Sequence, residues 1–434
     1  MSPASSHWRW KLAAWSIVIM CSIYGALPYA AQHWCAPGWF PPYGTGFATE
    51  HGTLGGEYFN IAMALVCGRG YSDPFFVESG PTAWMPPLLP TIDAVVFTFS
   101  SDNREGVVWF SLIAQILVLG WVTGDIIDRM GDTRSRIVTL LCIAVVLAGN
   151  FYHLFQITHD GWLLLLLAHG CVRMLLQPAS LSTTTGVLRW GVWGGLCSLA
   201  SPPLCLAWLV ASWNVRHVLA VRGVAIALGI ALAMQAPWLV RNAVVFHRFV
   251  PVKSNGWFEL EQSLSDFDGV LDLTTFANHP IASEAAKQRY LEKGEMAFLD
   301  ERKAAIWKRE PGELTSRWLR HVWNRAVAAF LWKMPINERF SAPWFVTVSR
   351  ALFAAPFLVG SIAFLLGWRP SPELRNVGWF ALVYLTPYLA ISFYDRYMIP
   401  ILGVTILVSS EAAIYLVQSH WGRLFGFRGT TIAS

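Results

Sequence analysis

Four short stretches of this chain carry residue types able to move protons and hold anions. Gly55-Gly56-Glu57-Tyr58-Phe59-Asn60 leads into an apolar run and then Gly68-Arg69-Gly70-Tyr71. Thr158-His159-Asp160 separates two apolar runs, and Tyr394-Asp395-Arg396-Tyr397 separates the last two. Pro237-Trp238-Leu239-Val240-Arg241-Asn242 ends another and is followed by Lys253-Ser254-Asn255-Gly256. Ionisable groups at the edges of such runs are costly to keep, so they call for a functional explanation. Each also has a plain structural one. Glu57 favours the N-terminus of its own helix, Asp160 caps the next, Arg241 snorkels, and Asp395 and Arg396 pair locally. Gathered at one membrane boundary, these carboxylates and cations suit a single ligand class, a lipid carrying a phosphate at the interface.

The composition puts these stretches in a membrane. Of 434 residues, 55% are hydrophobic and 14% charged, against roughly 45–50% and about 25% in a soluble domain. Mean hydropathy is +0.44, and 23 Trp residues suit a protein with aromatic rings at the water interface. A net charge of +5 gives no support to nucleic-acid binding. A span needs roughly 20 apolar residues. The candidates are 12–31, 106–127, 137–157, 162–177, 188–201, 203–214, 218–239, 344–367, 377–393 and 398–418. The short pair around Ser201-Pro202-Pro203 reads as tilted, broken or re-entrant. With both ends cytoplasmic and 86–100 a helix on the outer surface, the short inner loops collect Arg129, Arg134, Arg136, Arg173, Arg189, Arg216, Arg222, Arg369, Arg375, Arg423 and Arg428. Making 86–100 a span would send the first three outside, against the positive-inside rule.

The expected fold is therefore all-α and polytopic, with about ten spans. It divides into an N-terminal transmembrane module (1–239, with a first outer loop 32–105), an exoplasmic helical region (240–343) and C-terminal spans (344–434). The exoplasmic region holds close to half of the charged residues. Within it, 284–310 reads as one solvated helix. Residues 314–334 read as an amphipathic helix on the membrane surface, with Trp318, Val322, Ala326 and Phe330 set against Arg317, Arg320 and Arg325. The seven cysteines lack metal-ligand spacing, and only Cys35 and Cys67 fall in an outer loop where a bridge is feasible. The run Leu12–Ala31 is longer than a signal-peptide core and reads as a retained first span.

Four motifs, in this order and topology, resemble the GT-C membrane glycosyltransferases, in the bacterial branch of the protein O-mannosyltransferases and lipid A aminoarabinose transferases. They are Gly56-Glu57-Tyr58 with Gly68-Arg69-Gly70-Tyr71; Gly80-Pro81-Thr82-Ala83-Trp84-Met85-Pro86-Pro87-Leu88-Leu89-Pro90; Pro237-Trp238 with Arg241-Asn242 and Asn255-Gly256; and Asp395-Arg396-Tyr397 with Pro400. This chain departs from the family in having a single Glu after Gly55-Gly56, and Met85 where a His or Lys often precedes the Pro-Pro pair.

The resemblance implies a GT-C-like bundle with exoplasmic juxtamembrane helices, in a bacterial plasma membrane. It implies transfer of one sugar from a polyprenyl-phosphate donor to an acceptor hydroxyl or amine on the outer face, with inversion. An acceptor hydroxyl needs a carboxylate to take its proton. Glu57 is the expected base and Asp160 a second acid orienting acceptor or sugar. The leaving phosphate wants fixed cations, Arg241 first, then Arg396 and Lys253. Tyr58, Asn242, Asn255, Asp395 and Tyr397 are expected to position substrate. The scheme requires no cofactor or metal, and His51, His153 and His159 show no ligand spacing. Expected partners are the lipid-linked donor, membrane lipid and an acceptor that is a lipid, a glycan or a protein. Two other readings compete. A flippase of lipid-linked sugars or other anions should place charges at the bilayer midplane, and an inactive relative would serve as a scaffold.

Overall fold

A computed structural model of the chain describes residues 4–34, 56–100, 104–150, 160–270, 278–281, 283–331 and 344–421. Cys35, His51, His153 and His159, and with Cys35 the suggested bridge to Cys67, lie outside them. Among the described residues helix dominates and no strand forms, the only extended pairings being isolated bridges at Ser72–Pro81 and Val270–Phe393.

In chain order the helices are α1 (Ala4–Trp34), α2 (Gly56–Val66), α3 (Leu88–Phe99), α4 (Arg104–Arg129), α5 (Thr133–Gly149), α6 (Gly161–Leu175), α7 (Thr184–Ala200), α8 (Pro202–Asn214), α9 (Arg216–Phe246), α10 (Gly256–Ser265), α11 (Glu284–Lys293), α12 (Glu295–Trp307), α13 (Pro311–Phe330), α14 (Trp344–Leu365), α15 (Pro372–Ala390) and α16 (Leu402–Leu416). Each stretch expected to span overlaps one of them, and residues 151–157 of the stretch 137–157 lie outside the described residues. Three described helical segments, Gly106–Arg129, Arg216–Phe246 and Asp395–Ser419, are long and apolar enough to cross a membrane. Large apolar side chains on their outer faces, such as Ile113, Leu117, Leu232, Val240 and Val244, are exposed, as expected where lipid is the solvent.

The helix boundaries follow local chemistry. Asp132 caps α5 by accepting from the backbone of Arg134 and Ser135, and Thr183 caps α7 through Gly186. Ser201 leaves helical geometry (φ −163°, ψ 124°), and Pro202 and Pro203 start α8 afresh. The 17 and 13 residues of α7 and α8 give lengths of about 25 and 20 Å, each short of the bilayer core. They run back against each other, with Trp190 Nε1 donating to Ser212 Oγ and Trp208 Nε1 to the Trp190 carbonyl. Their shared apex is Ser201. Small residues set the close approaches in this layer: a Cβ on Gly191 would come within 3.0 Å of the Ala227 backbone on α9.

Two expectations for residues 240–343 are corrected. Residues 284–310 do not form one solvated helix: Gly294, at φ 72°, breaks it into α11 and α12. The inner sides of both are buried, through Tyr290, Glu295, Phe298, Leu299 and Ile306. Glu295 accepts hydrogen bonds from Thr82 Oγ1, the Ala83 amide, Ser254 Oγ and Tyr290 Oη. Burial raises its pKa, and those donors pull it back. This carboxylate fastens α12 and the segment before α10 to the segment before α3. The second correction is Arg325 of α13, expected on a wet face and fully buried. It donates to the carbonyls of Gly269 (2.8 Å), Leu389 (2.9 Å) and Ala390 (3.0 Å) and to Ser263 Oγ.

Candidate active site

One cleft gathers residues from separated parts of the chain. Its walls are Tyr58 of α2, Met85 and Pro86 before α3, Asp160 at the start of α6, Ala200-Ser201-Pro202-Pro203 at the α7–α8 apex, Lys253 and Glu259 around the start of α10, Tyr388 of α15, and Arg396 and Tyr397 of the turn Asp395–Ile401. The cleft is partly open, and the space between these walls is about 60 Å³, room for a few waters or one small polar group. Its charged lining is two carboxylates and two cations.

Asp160 stands at the N-cap of α6 yet makes no capping hydrogen bond. Its Oδ2 instead accepts from Tyr58 Oη at 2.9 Å. Burial and the neighbouring Asp160 charge raise the Tyr58 pKa well above its ordinary value, so the phenol keeps the proton it donates. Glu259, in the first turn of α10, accepts from Ser392 Oγ at 3.0 Å and from Asn255 Nδ2 at 3.3 Å. Lys253 is half-buried and makes no hydrogen bond or ion pair among the described residues. The Arg396 guanidinium lies over the rings of Tyr394 and Tyr397, 5.0 and 5.6 Å from their centroids, and Tyr397 stacks on Tyr388 at 4.0 Å. The Ser201-Pro202-Pro203 break puts non-helical backbone at the wall of a polar cleft, which can solvate it.

Glu57 does not line the cleft. It sits one residue from Tyr58 in the first turn of α2, close enough to Arg396 and Lys253 to feel their charge. Burial raises its pKa, against the pull of its helix backbone and those cations. Its Oε1 lies 3.4 Å from His279 Nε2. The Ile281 amide donates to His279 Nδ1 at 3.2 Å, so a neutral ring carries its proton on Nε2, facing Glu57. The edges and faces of Phe75, Trp84 and Phe258 pack about this imidazole at 5.1–5.9 Å. Burial pushes its pKa down to about 4, despite the Glu259 charge. Below about pH 6.5 the unfolded chain takes up a proton that the folded imidazole refuses until about pH 4. Stability must therefore fall as pH drops through that window, by at most about 3 kcal/mol. His279→Gln is expected to flatten this acid limb in thermal unfolding measured from pH 7 to pH 4. A mutant curve parallel to wild type would contradict the neutral ring.

Arg241 and Asn242 are placed elsewhere. Arg241 donates to the carbonyls of Thr82 (2.7 Å) and Tyr71 (2.6 Å) and to Asn242 Oδ1, inside a ring of Tyr71, Trp238 and Phe246. Asn242 is fully buried and donates to the Val250 carbonyl. This pair braces the chain before Met85 and Pro86 and does not face the cleft. Asn255 is buried behind Glu259, and Asp395 sits half-buried beside Arg396 without lining the space. The sequence motifs passed over Glu259, Tyr388 and His279, and marked Ser201 as a helix break without placing it in the site. For Glu259 a signal existed, since it lies four residues after Asn255 on the same helical face. Among the described residues no group of three His, Cys, Asp or Glu side chains forms a metal-ligand set. Comparison with protein-family models, with curated proteins and with solved structures finds no match to this chain.

Proposed function

We propose that the chain is an integral membrane glycosyltransferase of about ten spans, drawing one sugar from a polyprenyl-phosphate donor at the outer face. The observation that carries this reading is the cleft in which Asp160 and Glu259 oppose Lys253 and Arg396, beside the broken helix pair at Ser201. Asp160 takes the base's role in place of Glu57, because it lines the cleft and one of its oxygens makes no hydrogen bond among the described residues. The acceptor hydroxyl gives its proton to Asp160 while its oxygen bonds to the anomeric carbon from the face opposite the phosphate. The carbon–oxygen bond to phosphate breaks, and the phosphate leaves with the electron pair, its charge met by Lys253 and Arg396. A phosphate leaving group needs no general acid, unlike the paired carboxylates of glycosidases. Glu259, held by Ser392 and Asn255, orients the acceptor or the sugar.

The Ser201 break also favours a second reading, a carrier of lipid-linked sugars, since transporters commonly build their substrate sites from broken helices. One experiment separates the two. Purified protein in liposomes is given a panel of polyprenyl-phosphate hexoses and pentoses, and both sugar release and donor movement between leaflets are followed. Release with formation of polyprenyl phosphate supports the transferase. Movement of intact donor without release supports the carrier and overturns the transferase.

A further inference from the structure

The apolar interior holds two thiols in contact. Cys171 of α6 and Cys197 of α7 are both fully buried, and their Sγ atoms lie 3.9 Å apart. Both belong to the main cluster of packed apolar side chains. The two helices meet closely at this level. A Cβ on Gly170 would come within 2.7 Å of the Trp193 ring, so the residue before Cys171 leaves α7 room that any side chain would fill. A disulfide bond is about 2.05 Å long. Forming one here requires the sulfur atoms to close by about 1.9 Å.

Cys197 also stands where such a movement is felt by the cleft. Its carbonyl accepts from the Ser201 amide at 2.9 Å, and Ser201 is part of the cleft wall. The next residue, Ser198, donates to Gln235 Oε1 at 2.9 Å, and Gln235 Nε2 donates to the Pro251 carbonyl at 2.6 Å. Pro251 lies two residues before Lys253, another wall residue.

We propose that Cys171 and Cys197 form a redox site, converted to a disulfide by an uncharged two-electron oxidant small enough to enter the apolar interior. Both S–H bonds break and one S–S bond forms, and two electrons and two protons pass to the oxidant. A dithiol reverses the step by thiol–disulfide exchange. The packing around the pair keeps charged reagents from it. The new bond draws α7 toward α6 and pulls on Ser201 and on the Ser198–Gln235–Pro251 chain. The oxidised protein therefore holds the cleft walls in a different position from the reduced one. This proposal is independent of the transfer chemistry.

Diamide, an uncharged azo compound whose N=N bond takes up the two electrons and two protons, tests it on the wild-type chain in phosphatidylcholine–phosphatidylglycerol nanodiscs. After treatment the protein is denatured and its free thiols are blocked with light N-ethylmaleimide. The disulfides are then reduced, and the thiols they release are blocked with heavy reagent. Peptide mass spectrometry should find Cys171 and Cys197 passing together from light to heavy label. In Cys171→Ala, Cys197 should stay light. Both cysteines light in the wild type would overturn the proposal, and so would a heavy Cys197 in Cys171→Ala, because its partner would then be another thiol. Deuterium uptake by the peptides covering Ser201 and Lys253 should differ between the oxidised and reduced wild type. Identical uptake with the disulfide formed would overturn the link to the cleft.

Discussion

Asp160→Asn should lower turnover by roughly 10²–10⁴-fold, the usual loss when a general base is removed. The amide oxygen of Asn can still accept from Tyr58 Oη, so the wall of the cleft and the start of α6 should keep their geometry, and donor affinity should change little. Glu57→Gln is the matched comparison. Glu57 sits behind Tyr58 and against His279, so its loss should be the smaller. Steady-state kinetics of the two variants under one acceptor condition decide the order. A dead Glu57→Gln beside an active Asp160→Asn would exchange their roles, and full activity in both would remove the transferase reading.

Arg396→Ala should cost roughly 10²–10³-fold in turnover, the scale seen when one fixed donor to a developing negative charge is lost. Donor KM should rise as well, because the cation also holds the ground-state phosphate. Arg396→Lys should recover only part of this loss. The guanidinium plane lies against Tyr394 and Tyr397, a contact that a compact ammonium on a flexible stem reproduces poorly. Arg241→Ala supplies the contrast. Its guanidinium is engaged with the Thr82 and Tyr71 carbonyls, so the substitution should reduce the yield of folded protein while the surviving fraction keeps its donor KM. Wild-type donor kinetics in Arg396→Ala, with a raised KM in Arg241→Ala, would return the phosphate site to Arg241.

Much of the helix pattern was legible because apolar runs have a physical length scale. The described parts of the stretches expected to span are largely helical, though only three of the described helices are long and apolar enough to cross a membrane. The breaks at Ser201 and Gly294 follow from Pro and Gly chemistry, yet only the first was read. Gly294 lay hidden in a run of Glu, Lys and Ala whose solvated appearance masked Tyr290, Glu295 and Phe298. For the site, charge at the ends of apolar runs pointed to Asp160, Lys253 and Arg396, which the structure brings to one cleft. The same signal could not separate Arg241 from them, because an arginine leaving a span looks alike whether it meets a phosphate or two backbone carbonyls. His279 had no local pattern at all, and only the packing of Phe75, Trp84 and Phe258 creates its setting. Arg325 was misplaced for a different reason. Helical periodicity finds two faces, but where the surroundings are part lipid it does not say which face meets protein.

The central claim is that Asp160, Lys253, Glu259 and Arg396 form one phosphate-binding cleft, and a density map of the protein with polyprenyl phosphate bound tests it most directly. The account predicts phosphate density between Lys253 Nζ and the Arg396 guanidinium, with the lipid chain leaving along the α7–α8 apex. Phosphate held instead by Arg129 and Arg173, at the opposite ends of α4 and α6, would contradict it.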